Sequence, residues 1–173
     1  LFYISREEND YNMVNVRHIL ITPDETETTG DEAADTAAQE EAKANAKAEA
    51  ESLLDQFLAG DQTEDAFAEM ANTYSDDPGS NTTGGLYEQV YQGQMVTEFN
   101  DWCFDPARQT GDTGIIHNES TGYHVMYFVG YDQPYWEIQV SADLVNDAVD
   151  TFYEEKTEGY TAEQSSFGMS FVG

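Results

Sequence analysis

The chain has 173 residues, 39% of them hydrophobic and 13% aromatic, enough for one domain of ordinary size with a core plus an appendage. Its formal charge is -29, with only six Lys and Arg, which weighs against nucleic acid, where basic groups displace counterions, and against anionic membrane surfaces. That charge reads as self-repulsion favouring solubility and also suits an acidic cell-surface or high-salt setting; no stretch approaches the ~18 consecutive apolar residues of a membrane span, so no direct membrane insertion is expected of this piece.

Leu1 stands where a start methionine would, and no basic leader precedes an apolar run. The sequence therefore reads as a piece of a longer protein, with any targeting signal outside it. Residues 1–11, L-F-Y-I-S-R-E-E-N-D-Y, look like the end of an upstream element. From Met13 to Ile21 the pattern M-V-N-V-R-H-I-L-I predicts a strand, ended by Pro23. Alternation puts His18 on the face of Val14 and Val16, where a histidine needs a hydrogen-bonding partner. The acidic, Thr-rich run from Asp24 to about Asp35 reads as a solvated loop.

Ala37 to Ala59 is rich in helix formers. Ala46, Ala50, Leu53, Leu54, Phe57 and Leu58 make its expected buried stripe, and Gly60 stops it. Thr63 is a candidate N-cap for a second helix, Glu64 to Thr73, with Phe67, Ala68, Met70 and Ala71 inward. A loop with Pro78, Gly79, Gly84 and Gly85 follows, then a short irregular strand from Leu86 to Tyr91. A third helix is expected from Val96 to Phe104. Met95 and Phe99 are spaced i,i+4, which puts both on one helix face. Pro106 breaks that helix, and Gly111–Gly114 is a turn. Strands at Ile115–His117 and Tyr123–Val129 flank a second turn at 120–122.

Gly130 to Pro134 reads as a boundary. Beyond it, 135–140 is expected to be extended and 141–155 helical, with Leu144, Val145, Ala148, Val149 and Phe152 at helical spacing; residues 159–173 carry no expected structure. Cys103, the only cysteine, falls on an apolar helical pattern and reads as a buried small hydrophobe. No Cys/His spacing suits a metal, and no cofactor is expected. The N-x-[ST] sites at Asn81 and Asn118 read as chance matches in loops, and His117 as an incidental strand-end residue.

Taken in order, the motifs are a strand with His18, a long helix, a second helix, S-D-D-P-G-S, G-G, G-Q-M with Phe99 four residues on, G-D-T-G and T-G-Y-H. This order resembles the parvulin family of peptidyl-prolyl cis/trans isomerases over roughly Asn12 to Asp132, and within it the extracytoplasmic foldase proteins of Gram-positive bacteria. The resemblance implies an α+β fold, a small antiparallel sheet surrounded by about four helices, with a C-terminal extension containing a helix. It implies an isomerase domain at 12–132, the end of an upstream region at 1–11, and an extension at 133–173 belonging to a chaperone region. It carries the family's two histidines onto His18 and His124, its Cys-or-Asp position onto Asp77, and its hydroxyl three before the second histidine onto Thr121. The proline pocket falls on Met95 and Phe99, and its third wall on either Leu86 or Tyr87.

The expected function is peptidyl-prolyl isomerisation that assists folding of exported proteins. The partners are unfolded polypeptides with Xaa-Pro bonds, the setting is extracytoplasmic, and missing flanking regions leave room for a dimer. The alternative is a catalytically weak chaperone or peptide-binding module on the same scaffold. Phospho-specific family members carry basic residues after the first strand; here the segment is T-P-D-E-T-E-T, so no phosphate dependence is expected. His18 and His124 are expected to bond each other on neighbouring strands, with Thr121 holding a tautomer and Asp77 facing the pair across the bound proline.

Overall fold

A computed structural model describes residues 9–158 and 160. Four strands form one antiparallel sheet in the order β2-β1-β4-β3: β1 is Asn12–Ile21, β2 Leu86–Val90, β3 Thr113–Asn118 and β4 Gly122–Pro134. The helices are α1 (Glu32–Ala59), α2 (Glu64–Tyr74), α3 (Thr97–Cys103) and α4 (Tyr135–Thr157). The described residues divide into two compact units that meet in sequence between Tyr135 and Trp136.

The central strands bury both faces, so alternation sorts their side chains into two cores. Ile19 and Ile21 of β1 and Val125 and Tyr127 of β4 pack under α1 and α2. Phe67 lies at the centre of that layer, with the Phe57 and Tyr127 rings each 5.3 Å away, and its full burial contributes about 1.5–3 kcal/mol. On the opposite face Val14, Val16, Met126 and Phe128 pack against Phe99 and Cys103 of α3. His18 and His124 continue this second series, two residues beyond Val16 and two before Met126.

Several boundaries differ from the sequence expectation. α1 begins at Glu32, because Asp31 accepts from the N–H groups of Ala33 and Ala34 and caps it; an acidic first turn suits a helix N-terminus, so the acidic run is partly helix. Ala42 joins the buried stripe, Leu54 is partly buried, and Leu58 is exposed. Met95 lies ahead of α3, which starts only at Thr97; it reaches the same core as Phe99 from the preceding turn. The expected boundary at 130–134 is strand: β4 continues to Pro134, paired with Asn12 across irregularities. Residues 135–140, expected to be extended, begin α4, none of whose described residues is buried; Leu144, Val145, Val149 and Phe152 are exposed. Asn118 lies at the end of β3 rather than in a loop. Residues 1–8, 159 and 161–173 lie outside the described residues.

Candidate active site

The register pairs His18 with Met126 and Leu20 with His124. The two histidines are thus diagonal neighbours on one face of adjacent strands, within reach of long side chains. Their rings stack at 5.2 Å, and Nδ1 of His18 is 3.0 Å from Nδ1 of His124. Nε2 of His18 is 2.9 Å from Asp77 Oδ2. At the other end, His124 Nε2 is 2.8 Å from the Thr121 hydroxyl.

These contacts determine the protons. Burial works to raise the Asp77 pKa, but bonds from Ser80, His18, the Gly79 N–H and Tyr87 outweigh it and hold the carboxyl at about 2. An ionised carboxylate only accepts, so His18 donates through Nε2–H. Burial depresses the His18 pKa against the pull of Asp77, so the contact is a neutral imidazole donating to a carboxylate rather than a full ion pair. His18 Nδ1 is then a lone pair and must accept from His124 Nδ1–H. His124 Nε2 is left as an acceptor, and the Thr121 hydroxyl donates to it. Burial, then the neighbouring His18, push the His124 pKa down to about 4. Every proton in the chain from Thr121 to Asp77 points toward the carboxylate.

Asp77 is held by the loop after α2. Its Oδ1 accepts from Gly79 N at 3.1 Å, and Oδ2 also accepts from the hydroxyls of Ser80 and Tyr87. Direct bonding to His18 differs from the expected arrangement, in which proline lay between Asp77 and the histidines. The loop is pinned to β1 by His18 N donating to Gly85 O and by Arg17, which bonds Glu64 and the carbonyls of Thr83 and Gly84. Gly85 has φ of +70°, and a Cβ there would lie 2.1 Å from the His18 carbonyl oxygen. Only glycine lets the loop pass this close to the histidine strand.

The apolar side is equally local. The Phe99 ring stands edge-on 5.6 Å from His18 and 5.9 Å from His124. Met95 and Tyr87, both half-buried, pack against the same cluster. The two candidates for the third wall fall on different faces of the sheet. Tyr87 pairs with Val16 and its ring centre is 5.3 Å from His18; Leu86 pairs with Arg17, so alternation turns it to the other face. An irregularity between Val14 and Val16 makes this aim possible: Val90 pairs with Val14 and Tyr87 with Val16, three residues on β2 against two on β1. Gln89, at φ +54°, takes up the extra residue, and Asn15 accepts from its N–H.

Two contributors were not assigned roles from sequence. Ser80, fully buried, closes the S-D-D-P-G-S motif onto Asp77; only its place in the motif marked it. Asn118 Oδ1 accepts from the Ser120 N–H at 3.0 Å and its amide donates to Glu98 at 2.7 Å, so it holds the turn that carries Thr121 from the end of β3. His117 stands apart from the network, stacked on Tyr123 at 4.4 Å. Cys103 is buried, and burial pushes its thiol up to about 12. Among the described residues, no group of three His, Cys, Asp or Glu is placed to hold a metal ion, and no helix is long and apolar enough to cross a membrane.

Residues 1–129 match the family model of the PPIC-type PPIase domain. Foldase protein PrsA 4 of Bacillus cereus is 37% identical over 60 residues, which span 35% of this chain and 21% of that protein. The solved peptidylprolyl isomerase PrsA of Bacillus anthracis superposes with a TM-score of 0.52 at 19% identity, covering 89% of this chain and 55% of that one. The solved PPIase domain of TBPAR42 gives a TM-score of 0.50 at 20% identity, covering 67% of this chain and 98% of that one. The chain thus spans about a fifth of the curated relative and about half of the solved PrsA, and these structures share its α+β fold. With the family model matched over most of its length, the chain belongs to the parvulin, or PPIC-type, family of peptidyl-prolyl isomerases.

Proposed function

We propose that the domain catalyses cis/trans isomerisation of Xaa-Pro bonds in unfolded polypeptides, without covalent chemistry. The observation that carries this reading is the neutral chain Thr121–His124–His18–Asp77 running beside the apolar wall of Tyr87, Met95 and Phe99. Rotation about a peptide bond faces a barrier of about 18–20 kcal/mol, and at Xaa-Pro it relaxes uncatalysed in tens to hundreds of seconds. The barrier is lost amide resonance, and the half-rotated imide is less polar than the planar one. A water-poor apolar wall therefore favours the twisted form. Lowering the barrier by roughly 5 kcal/mol accelerates exchange several thousand-fold.

In this scheme Met95, Phe99 and the Tyr87 ring seat the proline. His18 and His124 present uncharged imidazoles to the twisting bond. Thr121 fixes the His124 tautomer. Asp77 fixes that of His18 from behind, its charge already taken by its donors. The isomerase domain, expected over 12–132, is proposed to run to the end of β4 at Pro134, with the remainder an extension of a chaperone region. The acidic segment after β1, without Lys or Arg before Lys43, supports substrates lacking phosphate. Extracytoplasmic placement and a role with exported clients are proposed on the likeness to PrsA foldases. A dimer formed through flanking regions belongs to the same proposal.

The test is exchange NMR on a proline tetrapeptide series, one member phosphorylated before proline, with wild type, Asp77→Ala and Met95→Ala. Fast exchange by the wild type that is lost in both variants, with no gain from phosphate, is the expected result. Peptide binding without exchange would make the domain a holding module instead.

A further inference from the structure

The Tyr87 hydroxyl has no evident use in a proline pocket, yet the surrounding loop is shaped to it. It donates to Asp77 Oδ2 at 2.9 Å. A Cβ added at Gly79 would lie 3.1 Å from that hydroxyl and 3.3 Å from Asp77 Oδ1. The turn therefore carries no side chain where the phenol meets the carboxylate. The irregularity at Gln89 rotates Tyr87 onto this face, and its ring lies between the apolar cluster and His18. A wall alone would need only an apolar side chain. Of the three side chains that donate to Oδ2, Ser80 is fully buried and His18 belongs to the histidine pair, while Tyr87 packs against the apolar cluster that holds Met95 and Phe99.

We infer that Tyr87 is a positioning residue: its hydroxyl holds Asp77 in the orientation that receives the His18 Nε2–H, tying the pocket wall to the histidine pair through one side chain. This rests on the isomerase reading for its effect on rate, but not for its effect on Asp77. The hydroxyl is engaged by the carboxylate, so its loss should reach the twisting step and leave peptide binding alone. A bond from a neutral donor to a carboxylate is strong because one partner is charged. Without it the carboxylate is less stabilised and His18 less firmly held.

The experiment compares wild type with Tyr87→Phe, which keeps the ring and removes one oxygen. Steady-state exchange on a proline tetrapeptide gives kcat and KM. The carbon-13 shift of the Asp77 carboxyl, followed against pH, reports the carboxylate directly. The groups facing that carboxylate are His18, Ser80, Tyr87 and the Gly79 N–H. Expected are a fall in kcat of about tenfold, KM within twofold, and a carboxyl midpoint moving from about 2 to roughly 3. Unchanged kcat and midpoint, or a raised KM with kcat and midpoint intact, would overturn the inference and leave Tyr87 as wall only. Should Tyr87→Phe fold poorly by circular dichroism, Tyr87→Leu serves, with the same loss in kcat expected and the midpoint read alike. If the wild type shows no exchange, the isomerase reading fails, while the carboxyl midpoint still decides the role of the hydroxyl.

Discussion

Mild acid should destabilise the domain through His124, before its carboxylates titrate. The His124 pKa is held at about 4 by burial and by His18, against an ordinary 6.5. A depressed folded pKa contributes stability that is complete above 6.5 and is lost as pH falls toward 4, because the unfolded chain takes the proton first. The full difference is worth about 3 kcal/mol. At pH 5.5 the unfolded imidazole is about 90% charged and the folded one almost uncharged, which costs roughly 1–2 kcal/mol. Asp77, at about 2 against 3.8, has the same sign in a lower window, between about pH 4 and pH 2. Its side chain is 14% exposed, so little is lost to solvent screening, and it adds about 2 kcal/mol. The measurement is urea denaturation of wild type and His124→Gln at pH 7, 6, 5.5 and 5. Added salt at about 0.5 M should shorten the reach of surface charge to a few ångströms. Wild type should lose stability steadily over that range. The variant should start lower and fall less steeply, keeping only the part owed to His18. A flat wild-type profile, or a variant that falls equally steeply, would refute neutral histidines in the folded state.

Two further outcomes concern the scaffold. Gly85→Ala forces a left-handed residue to carry a Cβ 2.1 Å from the His18 carbonyl oxygen; a stability loss of about 3 kcal/mol or more is expected, read as a depressed Tm, and a near-native Tm would mean the loop can move aside. Cys103, buried with its thiol pushed up to about 12, should resist a thiol reagent at pH 8 in buffer and react promptly in denaturant; fast reaction of the native protein would contradict the packing of α3 against the sheet.

Much of this was legible because the informative residues sit in short local motifs. The β-branched run around His18 and the T-G-Y-H before Val125 read as strands from sequence, and both are strands. Thr63 was a recognisable cap and Gly60 a recognisable stop. What escaped depends on contacts far apart in the chain. The choice between Leu86 and Tyr87 turns on one extra residue in β2, accommodated by the Asn15 side chain 74 residues away. The extension of β4 past Gly130 depends on pairing with Asn12, which no local pattern around Gly130 reports. Asp77 was expected to face the histidines across the bound proline, because the order of motifs carries no distances. Leu58 was put inward by helical spacing, but at that end of the helix the buried stripe runs through Leu53 and Phe57 and leaves Leu58 exposed.

The pairing of Asn12 with Pro134 also has a mechanical meaning. The segments flanking the domain leave from one end of two adjacent antiparallel strands, where the Tyr11 carbonyl accepts from Tyr135 N–H and their rings stack. A pull on those segments would not slide β1 past β4 with all their bonds loaded at once. It would peel the strands apart one bond at a time, as a zipper opens, from the end where the register is already broken between Asn12 and Val14 and between Asn15 and Val16. His18, paired with Met126, and His124, paired with Leu20, lie toward the closed end of that zipper. Tension from attached chain would spend itself first on the latch of tyrosines and on the irregular rungs, so the histidine pair would be among the last parts of the ladder to come apart.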